Sequence, residues 1–476
     1  MSEYSPEDIA RYKAENEKKI REAAVRGDVV IDGMPLKVTL EATADCDLFC
    51  RMCEFVVPRE RGRKKGYALN MGLPEFEMLA RQAMPGARFI NLTVVGEPFL
   101  VPYLDRILEL CREWQTRIEF ITHGMHLSQE MIEKVGPHTQ AMIISFDGAT
   151  KRTFERVRVG ATFETVTTNM LRFQRWRSRL SPGEHVPALM MAVTLMRENI
   201  EELPALVRLA SVLGVDKVSA GWMIAFSDKM ARSSCFRHKA LANACLAEAR
   251  RVAEELSVTI QLPAPFPGVS PEEVAAVTIA GPPPDADLVP HLKDALAGGP
   301  LPDAEGGVDL DQETIEKQMR AIEEWIPDAA DLKHPTPSME APLESVSEDV
   351  VERQTAEERR LQAQVLSEAA GGKPEVFVPA EPPRKARYTC RFLWNELFVA
   401  LNGDVAPCCI QGRPVVGNVF QQNLDQIWNG EAMQEMRRRL LEGDPIDCCR
   451  DCNYNTMLGQ GEYREDTFFV PLDREV

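Results

Sequence analysis

Glu41-Ala-Thr-Ala-Asp-Cys46-Asp-Leu-Phe-Cys50-Arg-Met-Cys53-Glu54 places three cysteines in the spacing C-x3-C-x2-C directly after the apolar run Leu36-Lys-Val-Thr-Leu40, which reads as a β-strand. Three thiolates on one short loop hold three irons of a cubane [4Fe–4S] cluster and leave the fourth iron without a protein ligand. A cluster that only carries electrons is normally held by four cysteines, so a close trio points to an iron that coordinates something else.

Outward from this loop, short β-rich runs alternate with longer helical periods. A polar amphipathic helix is expected over 5–26. Strands follow near 88–95, 117–122, 140–146, 187–195 and 215–220, with helices near 74–84, 101–114, 128–135, 163–178, 199–213 and 238–256. Six β/α units predict a parallel, barrel-like α/β sheet. In related barrels chemistry sits at the C-terminal ends of the strands, where the 46–53 loop falls.

Three further stretches end strands. In Thr93-Val-Val-Gly96-Glu97-Pro98, Gly96 permits a close backbone approach to a ligand, Glu97 offers an acceptor for an ammonium group and Pro98 fixes the turn. In Ile143-Ile-Ser145-Phe-Asp147-Gly148, Ser145 and Asp147 can hydrogen-bond a ribose or carboxylate, and Arg158 downstream can pair with a carboxylate or sit in a helix-surface salt bridge. In Thr122-His123-Gly124 a lone histidine stands at a strand end, where a structural role is the commoner one. Met190 and Met191 read as core.

A second cysteine group lies in 390–452. Cys390-Arg-Phe-Leu-Trp394 leads to Ala400-Leu-Asn402-Gly403-Asp-Val-Ala-Pro-Cys408-Cys409, a hairpin signal with Asn402-Gly403 at its turn. A Gly417-Asn418 turn, a helix starting at Asn423-Leu-Asp-Gln-Ile-Trp428, a basic helix through Arg437-Arg-Arg439 and Asp447-Cys448-Cys449-Arg-Asp-Cys452 follow. Such a segment can enclose one metal centre, and four thiolates suit a structural zinc as well as an iron–sulfur cluster.

Taken together these motifs resemble the radical S-adenosylmethionine (SAM) superfamily, in the branch with C-terminal SPASM or twitch domains. Gly96-Glu97-Pro98 is similar to its Gly-Gly-Glu-Pro motif, with Val95 in place of the first glycine, and Thr122-His123-Gly124 stands where the family often has Thr-Asn-Gly. The resemblance covers roughly 36–220 and 388–455. It implies an incomplete (β/α)6 TIM-like barrel with a small C-terminal α+β cluster-binding domain. It also implies a SAM-binding [4Fe–4S] cluster on Cys46, Cys50 and Cys53, and SAM contacts at Gly96, Glu97, Pro98, Ser145, Asp147 and Arg158. Counting cysteines leaves room for one auxiliary [4Fe–4S] cluster, assigned to Cys390, Cys408, Cys449 and Cys452, with Cys409 and Cys448 as one-residue alternatives; a truncated, twitch-like version describes it best.

The chain has 476 residues, 12 cysteines and a formal charge of −18. Nine cysteines fall in the two groups, which points to metal ligation rather than disulfides. Residues 263–386 carry 25 acidic and 10 basic residues and most of the 33 prolines, so the acidity belongs to an insertion or linker and nothing indicates nucleic acid. Helical islands within it are expected at 310–326 and 344–369. The expected organisation is a helical extension at 1–35, the barrel at 36–262, the insertion at 263–386 and the cluster domain with its tail at 387–476. Neither a signal peptide nor an apolar run of membrane-spanning length is present, so a cytoplasmic protein is expected.

The function expected is that of a radical SAM oxidoreductase. It cleaves SAM to a 5′-deoxyadenosyl radical, abstracts hydrogen from a small polar metabolite and passes an electron to the auxiliary cluster, with flavodoxin or ferredoxin as external donor. The alternatives are a peptide-modifying maturase, for which residues 1–35 are too short to form a leader-binding winged domain, a radical epimerase using Cys235, Cys245 or Cys409 as hydrogen donor, and a non-catalytic cluster carrier. No catalytic base stands out.

Overall fold

The computed structural model describes residues 5–223, 232–284, 286–302, 315–316, 390, 392–408, 414–446 and 449. Helix α1 (Pro6–Arg26) precedes β1 (Lys37–Leu40), α2 (Val56–Lys65), α3 (Leu73–Ala83), β2 (Phe89–Asn91), α4 (Leu104–Glu113), β3 (Arg117–Thr122), α5 (Gln129–Val135) and β4 (Thr139–Ser145). Then come α6 (Lys151–Val157), α7 (Phe163–Arg177), β5 (Ala188–Leu195), α8 (Leu203–Val212), β6 (Lys217–Trp222), α9 (Lys239–Leu256) and β7 (Thr259–Gln261). Strands β1 to β7 lie in sequence order and each neighbouring pair is parallel, the α/β partial barrel expected, with one strand more than the six read from the sequence.

Alternation along the strands decides what each face holds. Val38, Leu40, Phe120, Met142, Ile144, Leu189, Met191 and Val218 are fully buried beneath the helices, whereas Ile121, Ile143, Ser145, Met190 and Ala192 on the opposite face stay partly accessible. Met190 is therefore not core as expected: it points away from Met191, which is.

The C-terminal segment joins the same sheet. β8 (Glu396–Val399) pairs parallel with β1 from Lys37↔Glu396 to Leu40↔Val399, and β9 (Asp404–Ala406) and β10 (Gly417–Asn418) continue antiparallel, giving ten strands. Gly417-Asn418 is thus a short strand rather than the turn expected. The hairpin turn falls at Asn402-Gly403 as expected: Gly403 has φ +81°, and a Cβ there would meet the Phe420 ring at 2.4 Å.

α1 is clamped between barrel and C-terminal segment. Lys13 Nζ donates to Met84 O at 2.7 Å, to Ala87 O and to Thr116 Oγ1 at 3.0 Å, and Asn16 Nδ2 donates to Met34 O and Gly86 O. On the other side Trp394 Nε1 donates to Asp28 O at 2.8 Å, and Arg437, fully buried, donates to Val29 O at 2.9 Å and Leu393 O at 2.8 Å.

Residues 263–302 also pack on the barrel. Phe266 stacks on Trp222 with centroids 4.5 Å apart and exchanges two hydrogen bonds with Asn243; Arg208 holds the carbonyls of Pro282 and Pro283; Arg175 holds those of Ala295 and Gly299. Of the two expected helical islands, only residues 315 and 316 are among those described. No helix among the described residues is long and apolar enough to cross a membrane.

Candidate active site

Every expected barrel contact lies on one rim, beyond the C-terminal ends of the parallel strands. The chain leaving β1 stays extended long enough for Ala42 N to donate to Leu92 O and Ala44 N to Leu69 O. The cysteine loop then ties back to the end of α6: Phe49 N donates to Val159 O at 2.9 Å and Arg51 N to Val157 O at 3.0 Å, while Cys53 N closes a turn onto Cys50 O at 3.1 Å. Cys50 is buried, and Cys46 and Cys53 are partly exposed.

Two arginines face these thiols. Arg59 of α2 is buried, donates to Leu48 O at 2.8 Å, pairs with Glu60 at 3.0 Å and lies 5.3 Å from the Phe49 ring centre. Arg158 donates from Nε to Asp147 Oδ2 at 2.7 Å and points Nη1 at Cys50 Sγ, 3.9 Å away. Burial pushes the Cys50 thiol up to about 11 and raises Cys46 and Cys53 too; Arg158 opposes the rise at Cys50, and Arg59 opposes it at Cys46 and Cys53. A metal must displace these protons, and two cations in reach favour the thiolates it needs.

Glu97 is buried beside the loop, its backbone N–H on Asp45 O at 2.7 Å. Its Oε1 accepts from the Thr122 hydroxyl at 2.6 Å and its Oε2 from the His123 N–H at 3.1 Å. Gly96 also closes against the protein's own backbone: a Cβ there would lie 2.4 Å from Thr43 O. Pro98 opens a 3-10 turn, Pro98–Leu100.

His123 Nε2 hydrogen-bonds Asp47 Oδ1 at 2.9 Å and lies 3.2 Å from Glu97 Oε2, and His126 Nε2 meets Asp47 Oδ2 at 2.8 Å. Burial works against the Asp47 carboxylate, but hydrogen bonds from the two histidines hold it below the usual range; the same bond to Asp47 raises His126. Cys46 Sγ, the Asp47 carboxylate and a His123 ring nitrogen lie within 4.8 Å of one another.

Ser145 ends β4 half-buried, and its hydroxyl makes no hydrogen bond to another described residue. Asp147 is fully buried with both oxygens engaged: Oδ1 accepts from Thr194 N at 2.6 Å and Oδ2 from Arg158. Asp147 thus holds Arg158, which is not on a helix surface. A small cleft beside the loop is lined by Arg51, Met52, Val157, Met196, Glu198, Met223 and Ser233. In it the Ser233 hydroxyl donates to Glu198 Oε1 at 2.6 Å, while Glu198 Oε2 is buried without a hydrogen bond.

Cys390, Cys408 and Cys449 are partly exposed; Cys409, Cys448 and Cys452 lie outside the described residues, so the expected quartet is described for three members. Asn423 opens the helix Leu424–Trp428 through a capping box with Gln426. The sequence reading missed Asp47, Arg59, His126 and Glu198. Asp47 abuts Cys46 in the sequence, but nothing in Arg59-Glu-Arg-Gly-Arg-Lys-Lys65 marks which cation turns inward.

Residues 390–453 match the SPASM family, described as an iron–sulfur cluster-binding domain. Over 83 residues the chain is 29% identical to the S-adenosyl-L-methionine-dependent 2-deoxy-scyllo-inosamine dehydrogenase of Niallia circulans, covering 17% of this chain and 33% of that protein. Over 185 residues it is 24% identical to the tungsten-containing aldehyde ferredoxin oxidoreductase cofactor-modifying protein of Pyrococcus furiosus, covering 37% of this chain and 48% of the other. The matched stretches thus span a third and about half of those proteins. Streptococcus suis SuiB, solved bound to S-adenosylmethionine, superposes with a TM-score of 0.44 at 12% identity, covering 91% of this chain and 74% of SuiB.

Proposed function

We propose that this chain, a radical SAM protein with a C-terminal SPASM domain, is an oxidoreductase that dehydrogenates a small polar metabolite. The observation that carries the reading is the meeting of Cys46, Cys50 and Cys53 with buried Arg59, part-buried Arg158 and Glu97 on one barrel rim. Cys46, Cys50 and Cys53 would hold a SAM-binding iron–sulfur cluster, which would supply radical hydrogen abstraction, and the SPASM domain would hold an auxiliary cluster able to take up an electron.

The chain's own residues divide the remaining work. Arg59 and Arg158 offset the charge of three thiolates in a buried loop. Glu97 receives the SAM ammonium, and the Ser145 hydroxyl is placed to bond its carboxylate or ribose. Arg158 faces the same space with its orientation fixed by Asp147, which acts as a support. Met52, Val157, Met196 and Met223 form an apolar wall beside the cysteine loop, with the Glu198 carboxylate at its edge. Cys390, Cys408, Cys449 and Cys452 hold the auxiliary cluster, and flavodoxin or ferredoxin delivers the reducing electron.

Burial counts against two of the three thiols an epimerase could use as hydrogen donor: Cys235 and Cys245 are 2% and 0% exposed within the core, and burial pushes both up to about 12, whereas Cys409 lies outside the described residues. The Niallia circulans relative, by its name an aminocyclitol dehydrogenase, supports a small polar alcohol as substrate over a peptide.

Anaerobic reconstitution followed by dithionite and SAM tests the reading. The protein is expected to release 5′-deoxyadenosine and to hold about eight irons per chain, and Cys50→Ala to abolish the release. No deoxyadenosine from the iron-loaded protein overturns it; about four irons per chain overturns the auxiliary cluster.

A further inference from the structure

We propose that His123 is a positioning residue that sets the SAM-ammonium acceptor against the cysteine loop; this rests on the radical SAM reading above. One ring spans the two parts. Its Nε2 sits 2.9 Å from Asp47 Oδ1, one residue beyond Cys46, and 3.2 Å from Glu97 Oε2. Its Nδ1 accepts the Met125 N–H at 3.2 Å, which leaves the ring proton on Nε2, directed at Asp47 with Glu97 Oε2 alongside. The ring is 4% exposed, and its own backbone N–H also holds Glu97 Oε2, so residue 123 grips that oxygen from two sides.

One residue does what neither carboxylate does alone: the ring bonds Asp47 and the backbone N–H bonds Glu97, so the two carboxylates are held together rather than left to repel. With the ring in place, the distance from Cys46 to the ammonium acceptor is set by one rigid imidazole rather than by two flexible chains. A nucleotide held by a cluster on these cysteines and by Glu97 would depend on that same span, so an error there would lower its affinity. His126 bonds only the far oxygen of Asp47, at 2.8 Å, and does not reach Glu97 within hydrogen-bond distance among the described contacts. It anchors the loop without measuring the span.

The two histidines therefore separate under substitution. In the reconstituted, dithionite-reduced protein, SAM is titrated while the electron paramagnetic resonance signal of the cluster is followed, with iron content and thermal unfolding of the iron-free chain measured alongside. His123→Phe keeps the ring and removes the donor; it is expected to keep the wild-type iron content and to weaken SAM binding about tenfold, with a broadened SAM-induced signal. His126→Phe is expected to weaken it by less than about threefold. Where His123→Phe unfolds, His123→Asn, whose amide reaches one carboxylate at a time, takes its place with an intermediate loss expected. Wild-type affinity and signal in the His123 variants overturn the proposal, as does an equal loss of iron in the His123 and His126 variants, which reduces the ring to a loop anchor. A wild-type signal unmoved by SAM instead removes the radical SAM reading itself.

Discussion

The rim that carries Cys46–Cys53 and the seam where the described C-terminal residues meet the barrel are each built round an arginine withdrawn from solvent, part-buried Arg158 and buried Arg437, and the two are held by opposite means. Arg158 has an anion: Asp147, fully buried, at 2.7 Å. Arg437 has none among its described bonds. Two carbonyl oxygens and the face of Trp428, 4.3 Å from its guanidinium, hold it, one Nη2 is left without a hydrogen bond, and burial pulls it down to about 9. An ion pair fixes a charge where chemistry needs it, beside the thiols; carbonyls and an aromatic face fix a geometry where only attachment is needed.

The largest effect expected from this contrast is at the rim. Arg158→Met leaves Asp147 buried and unpaired, and a loss of about 3–5 kcal/mol in urea unfolding is expected. Asp147→Asn combined with Arg158→Met is expected to be more stable than Arg158→Met alone, because the orphaned charge has gone. A double variant no better than the single one breaks the ion-pair account.

At the seam, Arg437→Met keeps the stem over Trp428 and orphans the carbonyls of Val29 and Leu393, for an expected loss of about 1–3 kcal/mol. Hydrogen exchange sharpens the comparison. Arg437→Met is expected to speed exchange in Glu396–Val399 and to leave the loop around Cys50 protected, and Arg158→Met to do the reverse. Equal opening of both regions by either variant makes rim and seam one cooperative unit.

The rim was more legible in the sequence than the seam, and the reason is locality. The cysteine spacing, Gly96-Glu97-Pro98 and the strand periods are each contained in a few residues, and β3, β4 and β5 fall within a residue or two of where their alternation puts them. What pairs across the chain is not written in any window. β8 lies against β1 although some 350 residues separate them, and a four-residue strand buried on both faces carries no mark of its neighbour. The inward turn of Arg59, the Asp47–His123–Glu97 contact and the packing of 263–302 share this origin. That last segment reads as linker because it is acidic and proline-rich, yet its carbonyls are held by Arg175 and Arg208 on the barrel's outer helices.

Lys13 gives the smallest and most specific test, since it belongs to the seam through α1 and, like Arg437, is surrounded by carbonyl and hydroxyl oxygens. Burial pulls it down to about 7 from the ordinary lysine value. Between about pH 7 and 10.4 the unfolded chain therefore binds a proton that the folded chain has given up, and stability rises with pH where the unfolded state holds more protons. Between about pH 6.5 and 7.5 this contributes a gain of under about 1 kcal/mol. Lys13→Met has no proton to lose, so the stability difference between wild type and variant is expected to move in favour of the wild type as pH rises through 7, with every other titrating group cancelling. A difference flat across that range means that Met84 O, Ala87 O and Thr116 Oγ1 hold the ammonium charged, and Lys13 then joins Arg437 as a cation kept by dipoles alone.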